Sequence, residues 1–257
     1  MKIVVAIKQV PARDSLLRPE GAWIQSGDLQ YEINEPDAYA LEEALRLKEA
    51  HGGEVVVLSA GPERVASTIR EALAKGADRA IHIKQEERGG QGAGADPLQA
   101  AEEIAEALRS EQPDLVLTGL QSDDLGYGQT GVILAELLGL PHATIIMNVE
   151  VRADGLLLKR ELENGYFQHV EMPLPALLTI QSGSNKLRYA TLMGIKKAKL
   201  KEVREFVSQR ARTEESGIFI DRVYLPERLK SSQLFDGPPG VAAAKLVEKL
   251  KFEARVL

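Results

Sequence analysis

Between Asp114 and Pro141 an apolar run, a polar glycine-rich loop and a helical stripe follow one another. Leu115 to Leu117 reads as a fully buried parallel strand. Gly119, Gly126, Gly128 and Gly131 leave the loop free to turn. Val132, Ile133, Leu137 and Leu138 then mark a helix face, closed by Gly139 and Pro141. A helix entered this way leaves backbone N–H groups unpaired near Gly128, Gln129 and Thr130. Together with the helix dipole they suit an anion such as phosphate, to which the Thr130 hydroxyl adds a hydrogen bond. The other reading of the same residues is an ordinary strand-to-helix turn with no ligand.

The segments on the N-terminal side repeat the strand–helix order. Lys2 to Lys8 is a continuous, mostly β-branched strand. Gln9 to Tyr31 is irregular, with a small hairpin expected around Ala22 to Tyr31. Asn34 is placed to cap a helix that carries Pro36 in its first turn and stops at Gly52-Gly53. Glu54 to Ala60 is the next strand. Val65, Ile69 and Leu73 mark the helix after it, and Arg79 to Ile83 is a third strand. Asp96-Pro97 opens a helix with Ala101, Ile104, Ala105 and Leu108 on one face. This alternation predicts an α/β fold with a doubly wound, mostly parallel sheet, helices on both faces and right-handed crossovers. Ligands of such sheets sit beyond the carboxyl ends of the strands, where strand order reverses. Ala6, Ala60 and Gly119 end three of the strands and are small enough for a flat ring to lie against backbone.

The pattern changes after Ala143. Thr144 to Val151 and Leu156 to Glu161 read as strands, Asn164-Gly165 as a two-residue hairpin turn, and Tyr166 to Met172 as the returning strand. Ala176 to Gln181 is a further strand, so the sheet gains antiparallel additions. Arg188 to Lys199 is expected to be helical. From Lys201 the core pattern is lost, with Ile218 to Leu225 and Ala242 to Leu250 the only ordered candidates. The expected organisation is an α/β domain over 1–200 and a C-terminal arm over 201–257, either disordered or ordered on a partner.

Composition removes several function classes. A net charge of −6 argues against bulk attraction to nucleic acid or anionic membrane. The absence of cysteine excludes disulfides, thiolate catalysis and cysteine-ligated clusters, and fits a cytoplasmic setting. Gly90 to Ala95 matches the glycine spacing of a dinucleotide fingerprint. It is rejected because it follows a charged segment and no helix starts on it. His51, His82, His142 and His169 show no metal-ligand spacing. Asp123 and Asp124 read as a carboxylate pair for acid–base work or, the reading preferred, as residues that cap or solvate the loop or accept bonds from a ribose or base. No nucleophile stands with a base in any known motif. The basic run Lys196, Lys197, Lys199, Lys201 and Arg204 reads as a solvated helix end or a subunit contact.

Ser184 to Lys199 (Ser-Asn-Lys-Leu-Arg-Tyr-Ala-Thr-Leu-Met-Gly-Ile-Lys-Lys-Ala-Lys) resembles the signature segment of the electron transfer flavoprotein β subunit. There Asn-x-x-Arg-Tyr is followed by a small residue, a short apolar stretch and Ala-Lys. Further matches run in order along the chain to about Lys201: Val5 to Val10, Asn34 with Ala40 to Ala44, Ser59 to Pro62, Gly76 to Asp78, the loop from Gln121 to Gly131, Arg160-Glu161 and Pro175-Ala176. The resemblance implies an adenine-nucleotide-binding fold of the α-hydrolase-like kind. It implies a heterodimer whose α subunit holds most of the FAD, and a structural AMP in this chain. By that resemblance the AMP site takes Ala6, Asn34, Glu35, Pro36, Asp37, Ala60, Gly119, Gln121, Asp123, Asp124, Tyr127, Gly128, Gln129 and Thr130. Arg13 and Glu161 fall near the partner's flavin. Arg188, Tyr189, Ala190, Thr191, Leu192 and Met193 form the loop that docks on acyl-CoA-type dehydrogenases. Electrons then pass to a quinone oxidoreductase.

This sequence departs from the family pattern in two places. Asn34-Glu35-Pro36-Asp37 replaces the usual Asn-Pro-x-x-Glu, and Arg13 falls where some members stack a tyrosine on the flavin. Three alternatives remain. The first is a bifurcating subunit with a second FAD in place of AMP. The second is a nucleotide-dependent enzyme on the same sheet, for which Lys8-Gln9-Val10-Pro11 stands where a Ser-Gly-Gly-x-Asp-Ser phosphate loop belongs. The third is a stand-alone nucleotide sensor.

Overall fold

The structure is a computed structural model and describes residues 1–25, 27, 29–85, 96–209, 218, 220–226 and 232–257. Contacts divide the chain into two compact units, Met1–Val223 and Tyr224–Leu257.

The first unit opens on β1 (Lys2–Ala6), followed by the short strands β2 (Gln9–Pro11), β3 (Pro19–Glu20), β4 (Trp23–Ile24) and β5 (Tyr31–Ile33). β2 pairs with β5 and β3 with β4, both antiparallel. The hairpin expected around Ala22 to Tyr31 is therefore corrected to Pro19–Ile24, and Tyr31 belongs to a separate ribbon that closes on the chain just after β1. Helix α1 (Glu35–His51) leads to β6 (Glu54–Gly61), α2 (Ala66–Lys75), β7 (Arg79–Lys84), α3 (Pro97–Leu108), β8 (Leu115–Gly119) and α4 (Thr130–Leu138). After β9 (His142–Arg152), β10 (Gly155–Glu161), β11 (Phe167–Met172) and β12 (Ala176–Ile180) come α5 (Leu192–Ala198) and β13 (Val203–Phe206).

Nine of these strands form one sheet in the order β11-β10-β9-β12-β8-β1-β6-β7-β13. The pairs from β9 to β13 are parallel, and β10 and β11 extend one edge antiparallel. Alternation sorts the side chains onto two faces. Ile3 and Val5 of β1 pack with Leu41 and Leu45 of α1 and with Ile69 and Leu73 of α2. Val4 packs on the other face with Ile104 and Leu108 of α3 and Leu134 of α4. Every residue of β8 and β12 is buried, which is why both are mostly apolar without alternation.

Three further expectations change. The helix expected over Arg188 to Lys199 shortens to Leu192–Ala198, because the residues before it are held by side chains of α1. Asn164 (φ 58) and Gly165 (φ 77) do make the tight turn, with the Tyr166 N–H donating to the Glu163 carbonyl. The paired strands begin only at Glu161 and Phe167, however, so the connection exceeds two residues. The sheet also does not end before Lys201. Val203–Phe206 joins it beside β7 (Val203 opposite Ala80), and Arg204 reaches Glu111 at 2.8 Å. The Gly90 to Ala95 segment lies outside the described residues. In the second unit the described element is α6 (Pro239–Phe252), which buries none of its residues.

Candidate functional site

The chain order of the sheet reverses between β1 and β8. β6 and β7 are laid on one side of β1, and β8 and β12 on the other. A cleft opens there at the carboxyl rim. Its lining takes Ala6, Ile7 and Lys8 from the end of β1, Asn34 and Asp37 from the start of α1, and Ala60 from β6. The loop after β8 supplies Gly119, Gln121, Tyr127, Gly128, Gln129 and Thr130. Those positions include ten of the fourteen predicted nucleotide-site residues. Glu35, Pro36, Asp123 and Asp124 stand outside the lining and brace it.

The bracing starts at the contact of α1 with β8. A Cβ on Gly119 would run into the Asp37 carboxylate and come within 2.7 Å of Pro36 Cβ and 2.8 Å of the Asp37 backbone nitrogen. Only glycine allows the helix start so near the strand end. The Asp37 carboxylate accepts the Lys8 N–H at 2.7 Å and the Gly119 N–H at 2.9 Å, joining the ends of β1 and β8. Burial pushes its pKa up to about 7, against the lowering effect of those two N–H groups.

Asn34 occupies the N-cap position of α1 without capping it. Its Nδ2 donates to the Gln121 carbonyl at 2.9 Å and its Oδ1 accepts the Asp123 N–H at 2.8 Å. Asp123 in turn accepts the Glu35 N–H at 3.2 Å, so the first free donor of α1 is satisfied by the loop. Arg13 pairs with Glu35 and lies 3.7 Å from Asp123. Asp124 pairs with Lys8 at 2.6 Å. The two loop carboxylates thus serve as ties between elements, a role the sequence reading did not assign them.

Helix α4 is different. Among the described residues no side chain caps its start, and Gln129, Thr130 and Gly131 all line the cleft. Gly128 just before it has φ +64, a backbone shape that L side chains rarely adopt. By contrast α3, which also reaches the cleft, is capped: Asp96 accepts the Leu98 N–H at 2.8 Å. Of the three helix starts at the cleft, that of α4 is therefore open to an anion, and those of α1 and α3 are closed by the carboxylates of Asp123 and Asp96.

Sequence reasoning missed Lys8, and also Gln85, Gln99 and Ala100, which reach the cleft from just after β7 and from α3. Lys8 closes the run read as the first strand, at its carboxyl end, and that position was a usable signal. The α3 residues carried none.

The remaining predicted residues stand elsewhere. Glu161 ends β10 and accepts a bond from Gln181 Nε2 at 3.2 Å. The segment 188–193 lies over α1 and α2. Tyr189 is 92 % exposed and Leu192 is 81 % exposed, whereas Arg188 is tucked against Glu42 and Glu49 of α1. Thr191 caps α5, accepting the Gly194 N–H at 3.0 Å.

A doubly wound sheet with an open helix start at its reversal point defines the class of α/β protein whose ligand place is the cleft at the carboxyl rim. Comparison with known proteins narrows it. The electron transfer flavoprotein domain matches residues 23–209. The electron transfer flavoprotein subunit beta of Methylophilus methylotrophus is 36 % identical over 96 % of this chain and 97 % of its own length. That of Bradyrhizobium diazoefficiens is 37 % identical over the whole of both chains, and that of Bacillus subtilis 32 % over the same extent. The chain belongs to the electron transfer flavoprotein family, among its β subunits.

Proposed function

We propose that this chain is the β half of a two-chain electron carrier, not an enzyme on its own, and that it holds AMP in the cleft. The observation that carries the AMP reading is the uncapped start of α4, with the Thr130 hydroxyl beside it. In this reading the phosphate takes the N–H groups at Gly128, Gln129 and Thr130. The base and ribose lie against Ala6, Ala60 and Gly119, with Gln121 and Tyr127 closing the loop side. Asp123 and Asp124 hold that loop in shape through Asn34, Glu35 and Lys8. The carboxylates at the starts of α1 and α3 favour a monophosphate over a dinucleotide, whose second phosphate would meet them.

An α partner holds most of the FAD, which supplies the electron-accepting ring when bound. Arg13 and Glu161 face that flavin, and the unit Tyr224–Leu257, with its unburied α6, gives the arm that covers the partner. Acyl-CoA-type dehydrogenases, as in fatty acid oxidation, deliver electrons after docking on residues 188–193, and a quinone oxidoreductase removes them. The exposed Leu192, flanked by Tyr189, Ala190 and Met193, supports that docking role. Among the described residues no helix is long and apolar enough to cross a membrane, and the proposed setting is cytoplasmic.

Two measurements test the reading. Nucleotide released by heat from the purified complex should have the mass of AMP, and a release of FAD alone from the cleft would favour the bifurcating alternative. Leu192→Ala should raise the KM for the carrier in dehydrogenase-driven reduction about thirtyfold, a loss of about 2 kcal/mol, with flavin content unchanged.

A further inference from the structure

The docking segment has little regular structure of its own before α5, yet it presents two nearly bare apolar side chains. A loop that offers an anchor to a partner binds well only if its shape is set beforehand. The source of that shape lies beneath it. The Arg188 guanidinium takes both oxygens of Glu42, at 2.8 and 2.9 Å, and both oxygens of Glu49, at 2.5 and 3.1 Å. Its backbone N–H adds a bond to Glu42 at 3.2 Å. Glu42 and Glu49 are two turns apart on α1 and so share one face. Three residues earlier, Asn185 Nδ2 bonds Glu43 at 3.1 Å and the Tyr39 carbonyl at 3.3 Å. Glu42 and Glu43 are buried although the segment above them is not.

The far end of the segment is fastened to α2. Gly194 sits so close to the Ala74 carbonyl that a Cβ would overlap it. Arg70 donates to the Ala198 carbonyl at 2.8 Å, and Lys201 Nζ donates to the carbonyls of Leu73 and Ala77 at 2.9 and 2.5 Å. Tyr189 and Leu192 therefore lie on a bridge with one foot on each helix.

We propose that Arg188 is a positioning residue for electron transfer, clamping the docking segment to α1 so that Leu192 stands ready for the dehydrogenase. This rests on the docking role assigned above to residues 188–193. A guanidinium is required, because its planar fork meets both oxygens of each carboxylate; a lysine keeps the charge and loses that geometry.

The test compares Arg188→Ala, Arg188→Lys, Glu42→Gln and Leu192→Ala in the purified two-chain complex, with an acyl-CoA dehydrogenase that reduces the unmodified complex. Arg188→Ala should raise the KM for the carrier about tenfold with kcat within about twofold, and Arg188→Lys about fivefold. Flavin content, nucleotide content and the rate of reduction by dithionite, which needs no docking, should not move. If Arg188→Ala fails to fold, Arg188→Lys and Glu42→Gln decide, each expected to raise KM at least about threefold. Unchanged KM in the Arg188 and Glu42 variants, with Leu192→Ala impaired, overturns the positioning role and leaves the docking role standing. Unchanged KM in Leu192→Ala removes the docking role itself. Equal loss of dithionite reduction and of KM would make Arg188 a fold residue and overturn the proposal.

Discussion

The cleft and the docking segment both rest on α1, and they are built on opposite plans. The cleft is concave. Its open groups are backbone donors and small residues, and its charged side chains are engaged in joining elements: Asp37 to β1 and β8, Asp123 to α1, Asp124 to Lys8. The docking segment is convex. Its apolar side chains point outward, and its charged residue lies underneath. A small anion asks for unspent N–H groups in a fixed hollow. A protein surface asks for a protruding anchor and a stiff base. In both regions ion pairs set geometry and leave the contact itself to other groups.

Asp37 gives the largest expected effect that would break this contrast. Burial holds its pKa near 7 in the folded chain, above the ordinary value of 3.8. The folded state then keeps a proton that the unfolded chain releases. Stability contributed at this group should fall as pH rises from about 4 to 7, by at most about 1.4 kcal/mol per unit, and level off above. Melting curves of the complex across that range should lose this slope in Asp37→Asn. A slope that persists would mean an ionised Asp37, held by the two N–H groups alone, and a more strongly charged hollow.

Gly119→Ala comes next. The new Cβ meets the first turn of α1, and a stability loss of about 2–3 kcal/mol is expected by denaturant titration, with nucleotide lost in parallel. Retention of nucleotide would show that the helix start and the strand end need not touch.

A pair of smaller changes sharpens the contrast. Thr130→Ala should weaken nucleotide retention by about 1 kcal/mol, roughly fivefold, and leave dehydrogenase kinetics alone. Thr191→Ala removes the cap of α5 at a cost of about 1 kcal/mol and should raise the KM with the dehydrogenase by a few-fold while nucleotide content holds. Nucleotide titration and steady-state reduction, run on both variants, would show crossed effects if the two regions were one functional unit.

How much of this was legible in the sequence follows from where the information lies. β1, β6 and β8 each hold a continuous apolar stretch that helices cover on both faces, so local composition sufficed. The open start of α4 was legible because glycine spacing and helix period lie within one short stretch. β13 was not: Val-Arg-Glu-Phe is short and half charged, and it is held by pairing to β7 and by Glu111, 93 residues away. Asn34 looked like a cap because the local signal is real, but the loop carrying Gln121 and Asp123 competes for the same side chain and wins. The Arg188 clamp spans 146 residues to Glu42, and nothing near either residue announces the other.

Because α1 touches the hollow with its first turn and the bridge with its later ones, it also works as a ruler. One residue inserted between Asp37 and Glu42 would turn both receiving acids about 100° around the axis. The cleft end would stay in register while Arg188 met Leu41 and Lys48 in place of its two acids. The length of this rod is thus under a constraint that neither end alone would impose, and a chain shortened or lengthened there could keep one job only by surrendering the other.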